Sequence, residues 1–312
     1  IDLKIIQTFP QIILYGPPGT GKTYLAKEMA KNMSPKNWKI LQFHPSYNYE
    51  DFVRGIESTT TRQGQIKYKF VNRILAEMAE KASKNQDKKY ILIIDEINRA
   101  NLASVLGELI YALEYRGEPV HSMYEVNGSG EITIPENLYI IGTMNTADRS
   151  IGHIDYAVRR RFAFHPVLPD KNQIEQYYNN NNNNNKKKNN LKDCATWLFE
   201  RVEALFKNNL ASDFHPDDVQ VGHTYFFAET EDELLNKFIY QIYPLLREYY
   251  KDGILIKSND ALEIPETGVT IAPLMRPDEI RKTLNCSKSL TNRKVGSGNE
   301  DTNESAGEDE VE

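Results

Sequence analysis

A parallel β-sheet covered by helices on both faces, followed by a smaller and mainly α-helical unit, is the α/β architecture that this sequence of 312 residues predicts. Three observations carry it. Short apolar runs alternate with helix-length segments through the first half, the pattern of strand–helix–strand crossovers. A glycine-rich turn joins the first apolar run to the first helix. After Pro169 the strand-like runs give way to helical patterning, which sets the expected division at 1–169 for the α/β core and 170–284 for the helical unit.

Gln11 to Tyr15 reads as the first strand and Lys22 to Asn32 as the helix after it; Trp38 to Phe43 is the second strand, and Phe70 to Ser83 an amphipathic helix. Tyr90 to Ile94 and Leu138 to Gly142 are continuous apolar runs, as strands buried on both faces require, and Leu102 to Tyr115 is the helix between them. Thr59 to Tyr68 and Val120 to Ile134 alternate polar and apolar residues around glycine, so each reads as a β-hairpin insertion. In the second unit the clearest helices are Ala195 to Asn208 and Glu231 to Lys251. The low-complexity run Asn179 to Asn190 has nothing to bury and like charges at its centre, so a disordered surface loop is expected there. From Asn285 to the acidic end at Glu312 the composition predicts a disordered tail, 285–312.

Hydrophobic residues make up 40% of the chain and aromatics 10%, enough to build a sizeable core. The net charge of −6 belongs mostly to the tail, where seven acidic residues from Thr291 onward oppose Arg293 and Lys294 and leave the rest near −1. A near-neutral body gives no global electrostatic attraction for DNA or a membrane, so any nucleic-acid contact requires a local patch or another domain. The two cysteines, Cys194 and Cys286, form no CxxC pattern, which argues against a disulfide framework or a zinc site and for a reducing cytoplasm. Apolar runs such as Tyr90 to Ile94 are far too short to cross a bilayer, so no membrane partner is expected. The chain begins with Ile, and a fragment with further sequence upstream is expected.

Gly16-Pro17-Pro18-Gly19-Thr20-Gly21-Lys22-Thr23 fits G-x-x-x-x-G-K-[ST] and lies between a strand and a helix, the context a phosphate-binding loop needs. With Tyr24 next in line, it is the candidate nucleotide-binding segment. Backbone N–H groups turn inward on phosphates, Lys22 neutralises the β and γ oxygens, and the Thr23 hydroxyl ligates Mg²⁺. Asp95 and Glu96 end a buried strand: Asp95 is placed to hold Mg²⁺ through water, and Glu96 to orient or deprotonate an attacking water. Asn145 ends another such strand, where a neutral amide positions water without repelling the γ-phosphate, while Asp148 reads equally as a catalytic group or a turn cap. Arg159, Arg160 and Arg161 follow a short helix; the first two are candidates to reach a neighbouring subunit's γ-phosphate, and Arg161 is assigned to a structural ion pair.

These motifs, in this order, resemble the AAA+ NTPases. FHPSYNYEDFVRG (43–55), IIDEINRANL (93–102), MNTADRSI (144–151), DYAVRRRF (155–162) and VGHTYFF (221–227) are similar, more narrowly, to the McrB group, motor subunits of modification-dependent restriction systems. The resemblance runs from about Gln11 to Lys251. It implies a hexameric ring, GTP rather than ATP as substrate, Mg²⁺, and a separate McrC-like nuclease subunit. It also implies DNA engagement through the complex or through a recognition domain upstream, and special standing for Asp148 and Arg149. No N-K-x-D guanine-reading motif occurs, so the GTP preference rests on the resemblance alone. An ATP-using protein-remodelling ATPase of the MoxR type is the alternative. His223 stands where lids of this family often present an arginine to the nucleotide, and reads either as its substitute or as a structural histidine.

Overall fold

In the computed structural model, which describes residues 4–60, 62–148, 154–180, 186–257, 260–272 and 275–284, helix α1 (Lys4–Thr8) leads into strand β1 (Gln11–Gly16), helix α2 (Lys22–Met33) and strand β2 (Trp38–Gln42). Helix α3 (Tyr49–Phe52), strands β3 (Arg54–Thr60) and β4 (Ile66–Asn72), helix α4 (Ile74–Ser83) and strand β5 (Tyr90–Asp95) follow. Helices α5 (Leu102–Leu106) and α6 (Leu109–Glu114) precede strands β6 (Pro119–Val126), β7 (Ser129–Thr133) and β8 (Leu138–Asn145), then helix α7 (Tyr156–Arg159) and strand β9 (Ala163–Pro166). Five strands pair in the order β2-β5-β8-β1-β9, all parallel. Register sets Gly16 beside Asn145 and Gln42 beside Asp95, so the catalytic candidates gather at one carboxyl edge of the sheet, where open α/β sheets bind ligands.

Side chains alternate across a strand, and the apolar runs therefore supply both faces. Ile12, Leu14, Ile91, Ile93 and Ile141 pack with Ala26, Met29 and Ala30 of α2. Ile13, Leu92, Ile94 and Ile140 pack on the other side with Leu75, Ala79, Leu106 and Leu109 from the helices there.

Several elements differ from the sequence expectation. The helix expected from Phe70 starts only at Ile74, because Phe70 and Val71 pair across β3 with Ile56 and Gly55; aromatic and β-branched side chains suit that pairing. The helix expected over 102–115 breaks at Gly107 (φ 52°). Both insertions are hairpins, β3–β4 and β6–β7, and the first is longer than expected. Strand β9 was not anticipated; four residues at a sheet edge carry too little pattern.

Contact density divides the chain into Ile1–Leu168 with Asp217–Val219, and Pro169–Pro216 with Gln220–Glu312. The second unit contains helices α8 (Lys171–Asn180) and α9 (Lys186–Asn209), then α11 (Glu231–Lys237) and α12 (Tyr243–Lys251), while the short α10 (Pro216–Val219) falls at the division with all but Pro216 in the first unit. Strands β10 (Glu263–Ile264) and β11 (Val269–Thr270) and helix α13 (Pro277–Thr283) complete it. The expected helix 231–251 contains a π-turn at Phe238–Ile242, just ahead of Pro244, which has no N–H for the regular ladder. The run expected as a loop is helical at both ends: α8 includes Asn179 and Asn180, and α9 starts at Lys186. Extending a helix already anchored by packing costs far less than nucleating one. Residues 181–185 and the expected acidic tail, 285–312, lie outside the described residues.

Candidate active site

Strand β1 ends at Gly16, whose φ of 152° brings its backbone against Val167; an added Cβ would sit 2.3 Å from the Val167 carbonyl oxygen. Gly19 (φ 78°) and Gly21 (φ 82°) then adopt left-handed conformations that curl the loop onto the amino end of α2. Glycine adopts these angles without Cβ strain, and the result is a concave turn beside a helix amino terminus, where backbone N–H groups favour phosphate. The Thr20 hydroxyl donates to the Pro17 carbonyl at 3.1 Å and closes the loop on itself.

Lys22 is 7% exposed, and its ammonium donates to the carbonyls of Gly16 (2.9 Å) and Pro17 (2.7 Å). Burial lowers its pKa to about 8, partly offset by the carboxylates of Glu96 and Asp95. The loop thus holds a desolvated cation that gains from an anion. On its far side the Thr23 hydroxyl donates to Asp95 Oδ1 at 2.7 Å, and Thr143 donates to the same oxygen at 2.6 Å. A hydroxyl and a carboxylate held together at the foot of a phosphate loop fit Mg²⁺, which takes few protein oxygens and keeps waters and phosphate oxygens as its other ligands.

Glu96, one residue past the strand, has φ 54° and ψ 45°, a left-handed conformation uncommon outside glycine and asparagine. Its N–H is caught by Thr143 Oγ1 at 3.1 Å. Burial raises its carboxyl pKa, and the Arg99 guanidinium 3.4 Å away opposes that shift. The Asn145 amide donates to Glu96 Oε1, and the buried Asn98 donates to the Asn145 carbonyl at 3.3 Å. A cavity of about 220 Å³ opens above these groups, lined by Pro18, Gly19, Gly21, Lys22, Thr23, Tyr24, Glu96, Thr143 and Asn145. Tyr24 is 69% exposed at its rim.

Most of the candidates thus meet around one cavity, with Gly16, Pro17, Thr20 and Asp95 bracing its walls. Asp148 stands off from it and pairs with Arg99 at 3.5 Å. Arg159 and Arg160 are exposed and are not among its lining; the Arg159 guanidinium lies 4.8 Å over the Phe164 ring. Arg161 pairs with Glu114 and donates to Ala157 O at 2.8 Å, a structural anchor as expected. Arg149 lies outside the described residues. His223 is buried and accepts the Asp170 N–H at Nδ1 (3.2 Å); burial lowers its pKa to about 4, so it is neutral and offers no charge to a phosphate. Thr143 and Arg99, which no catalytic motif singles out, bind the site's two carboxylates, Asp95 and Glu96; the arginine of INRANL is the sequence signal for the second.

Residues 11–162 match the AAA domain of the dynein-related subfamily. Residues 202–254 match the McrB alpha-helical lid domain. The chain belongs to the McrB-type AAA+ family. This McrB-type chain is 36% identical over 269 residues to the type IV methyl-directed restriction enzyme EcoKMcrB subunit of Escherichia coli K12, covering 80% of this chain and 56% of that one. It is 34% identical over 200 residues to the type II restriction enzyme BsuMI component YdiS of Bacillus subtilis 168, covering 52% and 58%. The chain therefore spans a little over half the length of the curated relatives it matches. Among the described residues, no helix is long and apolar enough to cross a membrane.

Proposed function

We propose that this chain is the motor of a cytoplasmic restriction system, hydrolysing GTP with Mg²⁺ in a ring, of six subunits, to drive DNA translocation or remodelling for a separate McrC-like endonuclease. The observation that carries the hydrolytic part is the convergence of Lys22, the Thr23–Asp95 pair and the Glu96–Asn145 pair on one cavity. Lys22 binds the β and γ oxygens, and Thr23 and Asp95 would hold Mg²⁺. Bound there, Mg²⁺ would supply charge neutralisation to the phosphates. Glu96 accepts the proton of the attacking water, and Asn145 fixes that carboxylate and the water beside it. Arg159 and Arg160 act on the site of the next subunit in the ring, which agrees with their exposure and their absence from this chain's own cavity. Asp148, through Arg99, sets the charge around Glu96. The restriction role is supported by the two relatives, both named as parts of restriction enzymes, and the McrB lid match sets it above a MoxR-type ATPase.

Hydrolysis of GTP and of ATP, each with and without DNA and with the nuclease subunit supplied, tests this reading. Turnover of GTP well above that of ATP is expected; a strict ATP preference overturns the GTP assignment.

A further inference from the structure

Hairpin β3–β4 carries side chains that the nucleotide site does not use. Register pairs Ile56 with Phe70, Ser58 with Tyr68 and Thr60 with Ile66, so Ile56, Ile66, Tyr68 and Phe70 share one face of the ribbon. That face is open: Tyr68 is 73% exposed, Ile66 63% and Phe70 46%. Phe70 is braced from behind by the Tyr124 ring, stacked at 5.1 Å and 19°. The interleaved residues are basic. Lys67 and Lys69 are exposed on the opposite face and Arg62 in the turn, with Glu57 the only acid of residues 54–72, 3.2 Å from Lys69. A ribbon this short buries too little to need large apolar residues on an open face.

We propose that this hairpin is a binding surface for an unpaired DNA strand, with Tyr68 and Phe70 as stacking platforms for bases and Arg62, Lys67 and Lys69 as phosphate contacts. The proposal deepens the DNA-motor reading and rests on it for the choice of nucleic acid. Charge selects the occupant: outside its acidic tail the chain is near neutral, yet this ribbon concentrates three exposed cations against one acid, which suits a polyanion. The aromatic rings select among polyanions, because every base offers a face to stack on. A second copy of the same ribbon would bring like charges together.

The test is fluorescence anisotropy of the full chain, with GTP and Mg²⁺, on a labelled single-stranded oligodeoxynucleotide of mixed sequence, over a range of salt, beside GTP hydrolysis by the same samples. Tyr68→Ala is expected to weaken binding roughly five- to a hundredfold, and Tyr68→Phe to restore it. Lys67→Gln with Lys69→Gln is expected to flatten the log–log salt dependence by about 1.4, two phosphate contacts at ~0.7 each. Basal hydrolysis is expected to stay unchanged in all of them. Wild-type affinity in the Tyr68→Ala and lysine variants overturns the hairpin assignment, as does a wild-type chain that hydrolyses GTP but binds only duplex, or no DNA. A chain that binds the strand through the hairpin yet fails to hydrolyse GTP keeps the hairpin and overturns the motor reading. Variants that keep the strand but lose stimulation by the nuclease subunit assign the ribbon to protein contact, and also overturn the proposal.

Discussion

Glu96 shows how one residue's surroundings set its chemistry. Burial favours its neutral acid, while the Arg99 guanidinium favours the carboxylate. A proton acceptor must be ionised, so turnover should rise with pH through the Glu96 pKa, with its acidic limb above the ordinary carboxylate value of about 4.3. Arg99→Gln removes a charge that holds the pKa down, and its acidic limb should therefore lie at higher pH than wild type. Profiles of kcat against pH for the two proteins check this, and coincident limbs would remove Arg99 from the site. Lys22 has the opposite problem. Its burial lowers its pKa to about 8, and a bound phosphate reverses that penalty by supplying the missing counter-charge.

At the scale of the element, strand β8 joins the two halves of the site, because it lies between β5 and β1 and ends in Asn145. Gly142 on that strand leaves room for Ile97: an added Cβ would lie 2.9 Å from Ile97 Cδ1 and 3.2 Å from Ile13 Cγ1. Gly142→Ala should cost about 1–3 kcal/mol by overpacking. It should also displace Ile97, next to Glu96, so hydrolysis falls further than nucleotide affinity does. Calorimetric melting with nucleotide titration reads both quantities; an unchanged Tm would show that Ile97 gives way freely. The helix expected over 102–115 failed for a related reason, since hydrophobic periodicity continues across Gly107 although the backbone there turns to φ 52°.

At the scale of the whole molecule the proposed motor is incomplete as one chain, because Arg159 and Arg160 do not line the cavity they are proposed to serve. A mixing experiment follows from that geometry. The Arg159→Ala, Arg160→Ala double variant should bind nucleotide normally and hydrolyse at least a hundredfold more slowly, on the scale of about 10³ or more for an arginine supplied in trans. Lys22→Ala should fail to bind nucleotide but still present its arginines. Mixed, the two inactive proteins should recover part of the turnover, since some sites then have an intact Lys22 beside a neighbour's intact arginines. Turnover that stays absent in every mixture would return the arginines to a role within their own chain.

The sequence by itself determined the parallel sheet, the phosphate loop and the acid-tipped strand, because each is written in contiguous residues: an apolar run, fixed glycine spacing, a carboxylate at a run's end. It also showed that Asn145 ends a buried strand. Only the tertiary structure decided what Asn145 touches, since its partner Glu96 is 49 residues away and meets it through the pairing of β5 with β8. The same holds for Thr143 on Asp95 and for Arg99 between Glu96 and Asp148. It holds too for the open aromatic face of β3–β4, where alternation predicts two faces but exposure depends on what packs against them. Local chemistry is legible along the chain; contacts between distant residues depend on strand order and register, which no single segment encodes.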